Sequence, residues 1–144
     1  MDMRSSNPPM ALKGLDHVVL RARSAAHMVA FYCQALGCTV DKVQEEIGLT
    51  QLRAGSALID IVDVHGELGR MGGPAPGLEG HNMDHLCLRV EPFDGDRIRT
   101  FLTDMGYAPG EVVQRYGAEG EGPSIYVNDP EGNMVELKGP PAAL

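Results

Sequence analysis

The chain has 144 residues, 43% hydrophobic and 22% charged, which is the size and composition of one globular domain and excludes a largely disordered or fibrous chain. Twelve basic residues against 20 acidic ones leave a net charge of -8, so we expect no nucleic-acid partner. No run of 18 apolar residues and no signal-peptide pattern occurs, so we expect a cytoplasmic protein with no membrane partner.

Two segments near the start and the middle of the chain resemble each other. LDHVVLRA at 15–22 and MDHLCLRV at 83–90 both place an Asp-His pair before alternating residues that include an arginine. The same number of residues separates His17 from His85 and Arg21 from Arg89. An internal repeat of this kind predicts two copies of one structural module.

The first module is predicted to span residues 14–66. After its opening strand, apolar residues at helical spacing follow a capping Ser24 and stop before Gly37, which is typical of a complete helix. Three short β-like segments come next, at 38–46, 47–55 and 56–64. Residues 67–81 are rich in glycine and proline, so they are predicted to form a linker with neither helix nor strand.

The second module is predicted to span residues 82–139 and to repeat the same order. A helical stripe begins near Asp94 or Asp96 and ends before Gly106. Three β-like segments follow, at 111–117, 124–129 and 133–139. The glycine-rich stretch 117–123 suits either a mobile cover over a site or a long hairpin loop. Together the halves predict an α+β fold of two paired βαβββ modules.

Strand alternation places the repeated polar residues on one face of the sheet. Side chains of a strand point alternately to opposite faces, so His17 and Arg21 share the face away from the helix in the first copy. His85 and Arg89 share that face in the second copy. Cys87 lies between them, although the three cysteines, which lack a CxxC spacing, are predicted to be reduced core residues.

The last strand of each module carries one acidic residue among apolar neighbours. These are Asp60 in ALIDIV and Glu136 in NMVEL. A buried carboxylate must be paired, hydrogen-bonded or bound to a cation. Two imidazoles and two carboxylates form a donor set that suits a divalent metal ion. The alternative is that these are unrelated histidines at strand edges and solvated acids at strand ends.

These segments resemble the vicinal oxygen chelate superfamily, which includes glyoxalase I, extradiol dioxygenases and the fosfomycin and bleomycin resistance proteins. The resemblance rests on LDHVVLRARS with AFYCQALGC, on MDHLCLRV, and on YVNDPEGNMVEL. It implies a curved, cup-shaped mixed sheet with the helices outside, a divalent metal inside the cup, and a homodimer. Carried onto matching positions, the implied metal ligands are His17, Asp60, His85 and Glu136.

The resemblance also implies a chemistry, which we expect to be that of a glyoxalase-like lyase or isomerase. One divalent ion (Ni, Zn, Mn, Fe or Co) would assist proton removal next to a carbonyl of a small oxygenated substrate, through an enediolate-type intermediate. Glu136, or else Asp60, would move the proton and Tyr126 would donate a hydrogen bond to the oxyanion. Arg21 and Arg89 would bind a substrate carboxylate. Structural ion pairs for the arginines and simple packing for Tyr126 are the alternatives.

Two other functions remain open from the sequence. The closing motif matches that of extradiol dioxygenases, with His17, His85 and Glu136 as a two-histidine, one-carboxylate triad. However, the stretch RYGAEGEGPS contains no histidine for acid–base catalysis, so we rank ring cleavage second. The third function is a metal-free binding protein for a small molecule, as in bleomycin resistance.

Overall fold

The computed structural model describes residues 7–141, in which eight strands form two four-stranded sheets, one from each half of the chain. The first sheet has the order β1-β4-β3-β2 and consists of β1 (His17–Ala22), β2 (Thr39–Gln44), β3 (Leu49–Ala54) and β4 (Ala57–Asp63). The second has the order β5-β8-β7-β6 and consists of β5 (His85–Arg89), β6 (Val113–Gly117), β7 (Gly120–Asn128) and β8 (Met134–Lys138). In each sheet the first strand runs parallel to the last, and the other pairs are antiparallel. The predicted α+β class with mixed sheets is therefore confirmed.

The helices are α1 (Ala25–Ala30), α2 (Glu67–Arg70) and α3 (Gly95–Asp104), and α1 continues into a π-helical turn (Phe31–Ala35). Ser24 and Asp94 cap α1 and α3, because their side chains accept hydrogen bonds from backbone N–H groups of the first turn. Gly37 then turns the chain out of the first helix at a φ of 85°. No helix in residues 7–141 has the length and apolar character that crossing a membrane requires.

Two predictions for the glycine-rich segments are corrected. The linker contains the one-turn helix α2, in which Gly69 packs directly on the backbone of Asp63. There is no room for a Cβ atom at this position, so α2 can pack there because residue 69 is glycine. The stretch 117–123 is mostly strand, since β6 and β7 pair up to Gly117 and Gly120 and leave only Ala118 and Glu119 as the turn. It is therefore a tight hairpin rather than a long loop.

A hydrophobic core shared by both halves lies on the helix side of the sheets. It includes Leu20, Met28, Phe31, Tyr32, Ile59 and Ile61 from the first half, and Leu102, Val127, Val135 and Leu137 from the second. The Phe31 ring packs edge-on against Tyr107, with 4.8 Å between ring centroids. Burial of each such side chain stabilises the fold by roughly 1.5–3 kcal/mol. Cys38 is buried in this core and Cys33 is half-buried, but Cys87 is exposed, because it lies on the opposite face of β5.

Polar contacts also connect the two halves, through the turn between β7 and β8. The buried Tyr32 hydroxyl donates to Asp129 Oδ2 at 2.8 Å. The Glu131 carboxylate accepts hydrogen bonds from the backbone N–H groups of Arg23 and Ser24, at 2.9 and 3.1 Å. The turn of the second half thus satisfies the amide groups at the start of the first helix.

Candidate functional site

The two repeated histidines have the same local environment. His17 and His85 are the first residues of β1 and β5. The Nδ1 atom of each lies within hydrogen-bond distance of the preceding aspartate, at 2.7 Å from Asp16 and 2.6 Å from Asp84. A carboxylate that holds Nδ1–H leaves Nε2 free as an electron-pair donor, and metal-binding histidines are commonly oriented in this way. The hydrogen bond that His17 donates to the Asp16 carboxylate raises the pKa of His17 above its ordinary value, as does the charge of Asp60, although burial opposes them.

The Glu136 carboxylate is buried and held by several donors. Ser124 Oγ donates to Oε2 at 2.6 Å, and Tyr126 OH donates to Oε1 at 3.0 Å. His85 Nε2 lies 3.3 Å from Oε1. Burial raises the pKa of Glu136, but these hydrogen bonds and the nearby imidazole outweigh it and hold the pKa below its ordinary value. Glu136 is therefore ionised at neutral pH.

The Asp60 carboxylate is also buried, but it is only half satisfied. Gln51 Nε2 donates to Oδ2 at 3.1 Å. The other oxygen, Oδ1, is buried and has no hydrogen-bond partner within the described residues. A buried hydrogen-bond acceptor without a partner lowers the stability of the folded protein. A divalent ion would supply the missing partner, because carboxylate oxygens are common ligands of such ions. The position of Oδ1 therefore fits a cation.

The two histidine–acid pairs occupy equivalent positions in their sheets. Along the parallel strands β1 and β4, His17 is level with Leu58 and Asp60 lies two residues further on. Along β5 and β8, His85 is level with Met134 and Glu136 again lies two residues further on. The pseudo-symmetry that the sequence predicted is therefore present in the geometry.

One chain does not bring all four donors to a common point. Across residues 7–141, no group of three or more His, Cys, Asp or Glu side chains is arranged to hold a metal ion. The second half brings His85 Nε2 to 3.3 Å from Glu136 Oε1, whereas in the first half His17 forms its ion pair with Asp16 and not with Asp60. The four-ligand site expected from the sequence is thus not formed within a single chain, and its assignment remains a prediction.

The two repeated arginines are held by groups of the protein itself. Arg21 donates to the backbone carbonyl groups of Gly69, Gly73 and Pro74 at 2.9, 2.6 and 3.0 Å, and so fastens the linker to β1. Arg89 Nε instead donates to the Glu119 carboxylate at 2.6 Å. The Arg89 contact is the structural ion pair given as the alternative, whereas Arg21 is held by backbone carbonyl groups instead. A role of either arginine in binding substrate remains a prediction.

A cavity of about 310 Å³ opens beside the second pair. Its lining includes His85, Cys87, Arg89, Glu119, Glu136 and Lys138. The neighbouring Tyr126 ring lies 6.0 Å from the His85 ring and 5.8 Å from the Arg115 guanidinium carbon. The second half therefore offers a small cavity in which two carboxylates, an imidazole and two cationic side chains are close together.

Several residues around the site were missed from the sequence. Strand alternation predicts that Asp16 and Asp84 point away from the face of His17 and His85, so it does not identify them as partners of the histidines, although the repeated Asp-His dipeptide was a signal that each histidine has a carboxylate neighbour. Gln51 and Ser124 gave no local signal, because only the pairing of neighbouring strands brings them to Asp60 and Glu136.

Cys87 is expected to be a poor nucleophile although it is exposed. Desolvation and the neighbouring Glu136 carboxylate raise the pKa of its thiol to about 11, against the opposing charge of Lys138. We therefore expect the rate of Cys87 alkylation by iodoacetamide, followed by peptide mass spectrometry, to rise about tenfold per pH unit from pH 7 to 9.5. A rate that levels off near pH 8.5 would show an ordinary thiol and contradict this expectation.

Comparison with known proteins supports the same family as the repeated motifs. A model of the Glyoxalase/Bleomycin resistance protein/Dioxygenase superfamily matches residues 14–137. The chain belongs to this superfamily. The match extends from before β1 almost to the end of β8, and so includes both histidine–acid pairs.

Solved structures of this superfamily's fold are similar over nearly the whole chain. Virulence protein STM3117 from Salmonella typhimurium has a TM-score of 0.76 at 23% identity, over 91% of this chain and 99% of that one. Lactoylglutathione lyase from Agrobacterium tumefaciens has 0.65 at 18%, over 90% and 95%. The antibiotic binding protein TnmS3 from Streptomyces sp. CB03234 has 0.66 at 20%, over 91% and 98%. At these identities the similarity concerns the fold alone.

Proposed function

We propose that this superfamily member is a metal-dependent, glyoxalase-like lyase or isomerase that acts on a small oxygenated substrate. The observation that carries the proposal is the pair of equivalent histidine–acid units, in which each imidazole is oriented by its own aspartate. Simple surface histidines need no such partner. The buried, unpartnered Asp60 Oδ1 adds a second reason, because a bound cation would satisfy it.

The donor set fits one divalent ion held by His17, Asp60, His85 and Glu136. Two imidazole nitrogens and two carboxylate oxygens are ligands for Zn, Ni, Co, Mn or Fe. Such an ion, when bound, supplies Lewis-acid stabilisation of negative charge on substrate oxygens.

Glu136 is the group we propose to move the proton. Hydrogen bonds hold its pKa below the ordinary value, so at neutral pH it is in the ionised form, which is the form that can accept a proton. Ser124 and Tyr126 fix the orientation of its two oxygens. Proton removal from a carbon next to a carbonyl would then give an enediolate-type intermediate. The Tyr126 hydroxyl, which donates to Glu136 Oε1 in the free protein, would turn from that oxygen to donate its hydrogen bond to the intermediate.

We further propose that a homodimer completes the site. One chain holds its two pairs apart, so the His17–Asp60 pair of one copy would meet the His85–Glu136 pair of the other. Apolar residues near the first pair are open to solvent in one chain, with Leu15 80% and Val19 50% exposed. A second copy would cover them.

Free thiols at all three cysteines suit a reducing compartment, so we place the protein in the cytoplasm.

Mixed dimers test where the site is formed. Chains carrying His17→Ala and Glu136→Gln, each with a different affinity tag, would be co-expressed, and the mixed dimer isolated through both tags. A site between copies predicts that one of the two sites regains all four native ligands, and hence one metal ion per mixed dimer by mass spectrometry. Homodimers of each variant should bind none. A mixed dimer that binds as little metal as the homodimers of the two variants would overturn the proposal that the site lies between copies.

Two further measurements test the type of reaction. Exchange of the carbon-bound hydrogen of 2-oxo aldehydes and hydroxy ketones with D2O, followed by NMR, is expected with metal-loaded protein and not with His85→Ala. Oxygen uptake with catechols would instead favour the dioxygenase. If the purified protein retains no metal, and if His85→Ala substitution causes no loss of activity, the results would favour a metal-free binding protein.

A further inference from the structure

We propose that Lys138 and Arg89 form a binding site for the carboxylate group of the substrate, and that Glu119 occupies this site in the free protein. The proposal rests on the proposed function for the position of the reacting atoms. It extends the carboxylate contact expected of Arg89 to two residues to which neither the family match nor the sequence motifs give a role, Lys138 and Glu119, and it adds the distance of the carboxylate from the reacting atoms.

Lys138 is a buried cation that pairs with no carboxylate within residues 7–141. Only 6% of the residue is exposed. Its ammonium group donates one hydrogen bond, to the backbone carbonyl of Arg115 at 2.7 Å. None of the ion pairs found within residues 7–141 includes Lys138. Buried charges are normally paired, so an ammonium group in this position is suited to bind the anionic group of a ligand.

The β6–β7 hairpin holds this ammonium group at the cavity. A Cβ atom on Gly117 would lie 2.6 Å from Lys138 Cε, and one on Gly122 would lie 3.1 Å from Lys138 Nζ. The two glycines therefore allow the hairpin backbone to pack directly on the lysine side chain. Lys138 lines the same cavity as Glu136 and Arg89.

Arg89 lies beside Lys138 in the sheet. The two residues are level with each other on the parallel strands β5 and β8, so two positive side chains share one face. Like charges in adjacent positions repel each other, and an anion between them would relieve the repulsion. The preceding pair on this face is Cys87 with Glu136, two residues back along the strands, or roughly 7 Å.

Glu119 indicates which anion the site takes. Its carboxylate accepts a hydrogen bond from Arg89 Nε at 2.6 Å. The Glu119 side chain is 55% exposed and lies in the two-residue hairpin turn, so a competing ligand can displace it at little cost. An arginine that already binds a carboxylate has the geometry to bind another.

The substrate class follows from this spacing. The reacting oxygens would lie at Glu136, and the anionic group roughly 7 Å further along the strands. A short oxo or hydroxy acid, with its carboxylate two or three carbons from the reacting oxygens, fits this separation and the cavity of about 310 Å³.

Levulinate (4-oxopentanoate) is a probe for the carboxylate site alone. We would titrate it into full-length protein stripped of metal on a chelating resin, at constant ionic strength, and follow backbone amide NMR shifts. Saturable shifts at residues 117–120 are expected with levulinate and not with its uncharged methyl ester. Absence of saturable shifts up to 50 mM levulinate, or equal binding of the ester, would overturn the proposal.

Three variants connect the probe to the named residues. Lys138→Met keeps the aliphatic part of the side chain and is expected to weaken levulinate binding roughly tenfold or more, the effect of losing a hydrogen bond to a charged group. Glu119→Gln removes the internal competitor and is expected to tighten binding about threefold. Lys42→Met, at an exposed lysine of β2, is the matched control.

The outcomes separate this proposal from the proposed function. Unchanged binding in Lys138→Met, or weaker binding in Glu119→Gln, would overturn the carboxylate site whatever the metal experiments give. Because the protein in this titration contains no metal, a failure of the metal-dependent reaction would leave the levulinate result interpretable. Thermal unfolding of each variant checks that the fold is retained.

Discussion

Replacement of Glu136 by glutamine is expected to abolish hydrogen exchange into the substrate and to remove bound metal, while the protein remains folded. Glutamine has the same shape but carries neither the negative charge nor the basicity of the carboxylate. We expect the loss of metal affinity to exceed the roughly 10- to 100-fold effect of removing an outer hydrogen-bond partner. Metal retained after dialysis, measured by mass spectrometry, and circular dichroism would check the two parts of this expectation.

Two further variants serve as controls, one with a smaller expected effect on metal binding and one with none. Asp84→Asn keeps all the proposed ligands but weakens the hydrogen bond that orients His85, so it should weaken metal binding by roughly 10- to 100-fold. Asp104→Asn changes an exposed acid at the end of α3 and should leave metal binding unchanged. Full metal retention and exchange in Glu136→Gln would contradict the role of Glu136.

Substitution of Asp129 by alanine is expected to have the largest effect on stability, lowering the free energy of unfolding by about 3–5 kcal/mol. The buried carboxylate accepts four hydrogen bonds, from Tyr32 OH, the Asn133 side chain, and the backbone N–H groups of Glu131 and Asn133. Removal of the acceptor leaves buried donors without partners in the turn that joins β7 to β8. Urea unfolding at neutral pH measures the difference.

Two further variants show whether the loss is specific to this network. Tyr32→Phe removes a single donor and should cost about 1–2 kcal/mol, because the other three bonds to Asp129 remain. Asp104→Ala, at a solvated position, should change stability by no more than about 0.5 kcal/mol. A loss for Asp129→Ala as small as that for Asp104→Ala would show that the turn does not depend on its carboxylate.

The order of elements could be predicted because each signal was local. The helical spacing of apolar residues between Ser24 and Gly37 was sufficient to predict α1. The same kind of pattern predicted α3, which Asp94 caps as Ser24 caps α1. Repetition of Asp-His placed His17 and His85 in matching positions before any contact was known. The one-turn helix α2 was missed, because its glycine packs against Asp63, a contact that composition does not reveal.

The surroundings of the candidate site were less predictable, because they depend on how strands and loops come together. The periodicity of β1 correctly places Arg21 on a polar face, but it does not show that the linker folds back and occupies the guanidinium group. Similarly, Lys138 directly follows the closing motif, with no neighbour in the sequence that marks it as part of a site. Its significance comes from the approach of Gly117 and Gly122, which belong to another strand pair.

The contacts of Glu131 have a consequence for how the duplicated gene can have evolved. A single ancestral unit must have closed the amino end of its own helix, or done so by pairing with an identical unit. In this chain the amide groups of Arg23 and Ser24 depend on a side chain more than a hundred positions away. The first repeat has therefore come to rely on the second, and recombination that replaced the second with a repeat lacking this carboxylate would leave the two amide groups without their acceptor, although Ser24 would still cap α1.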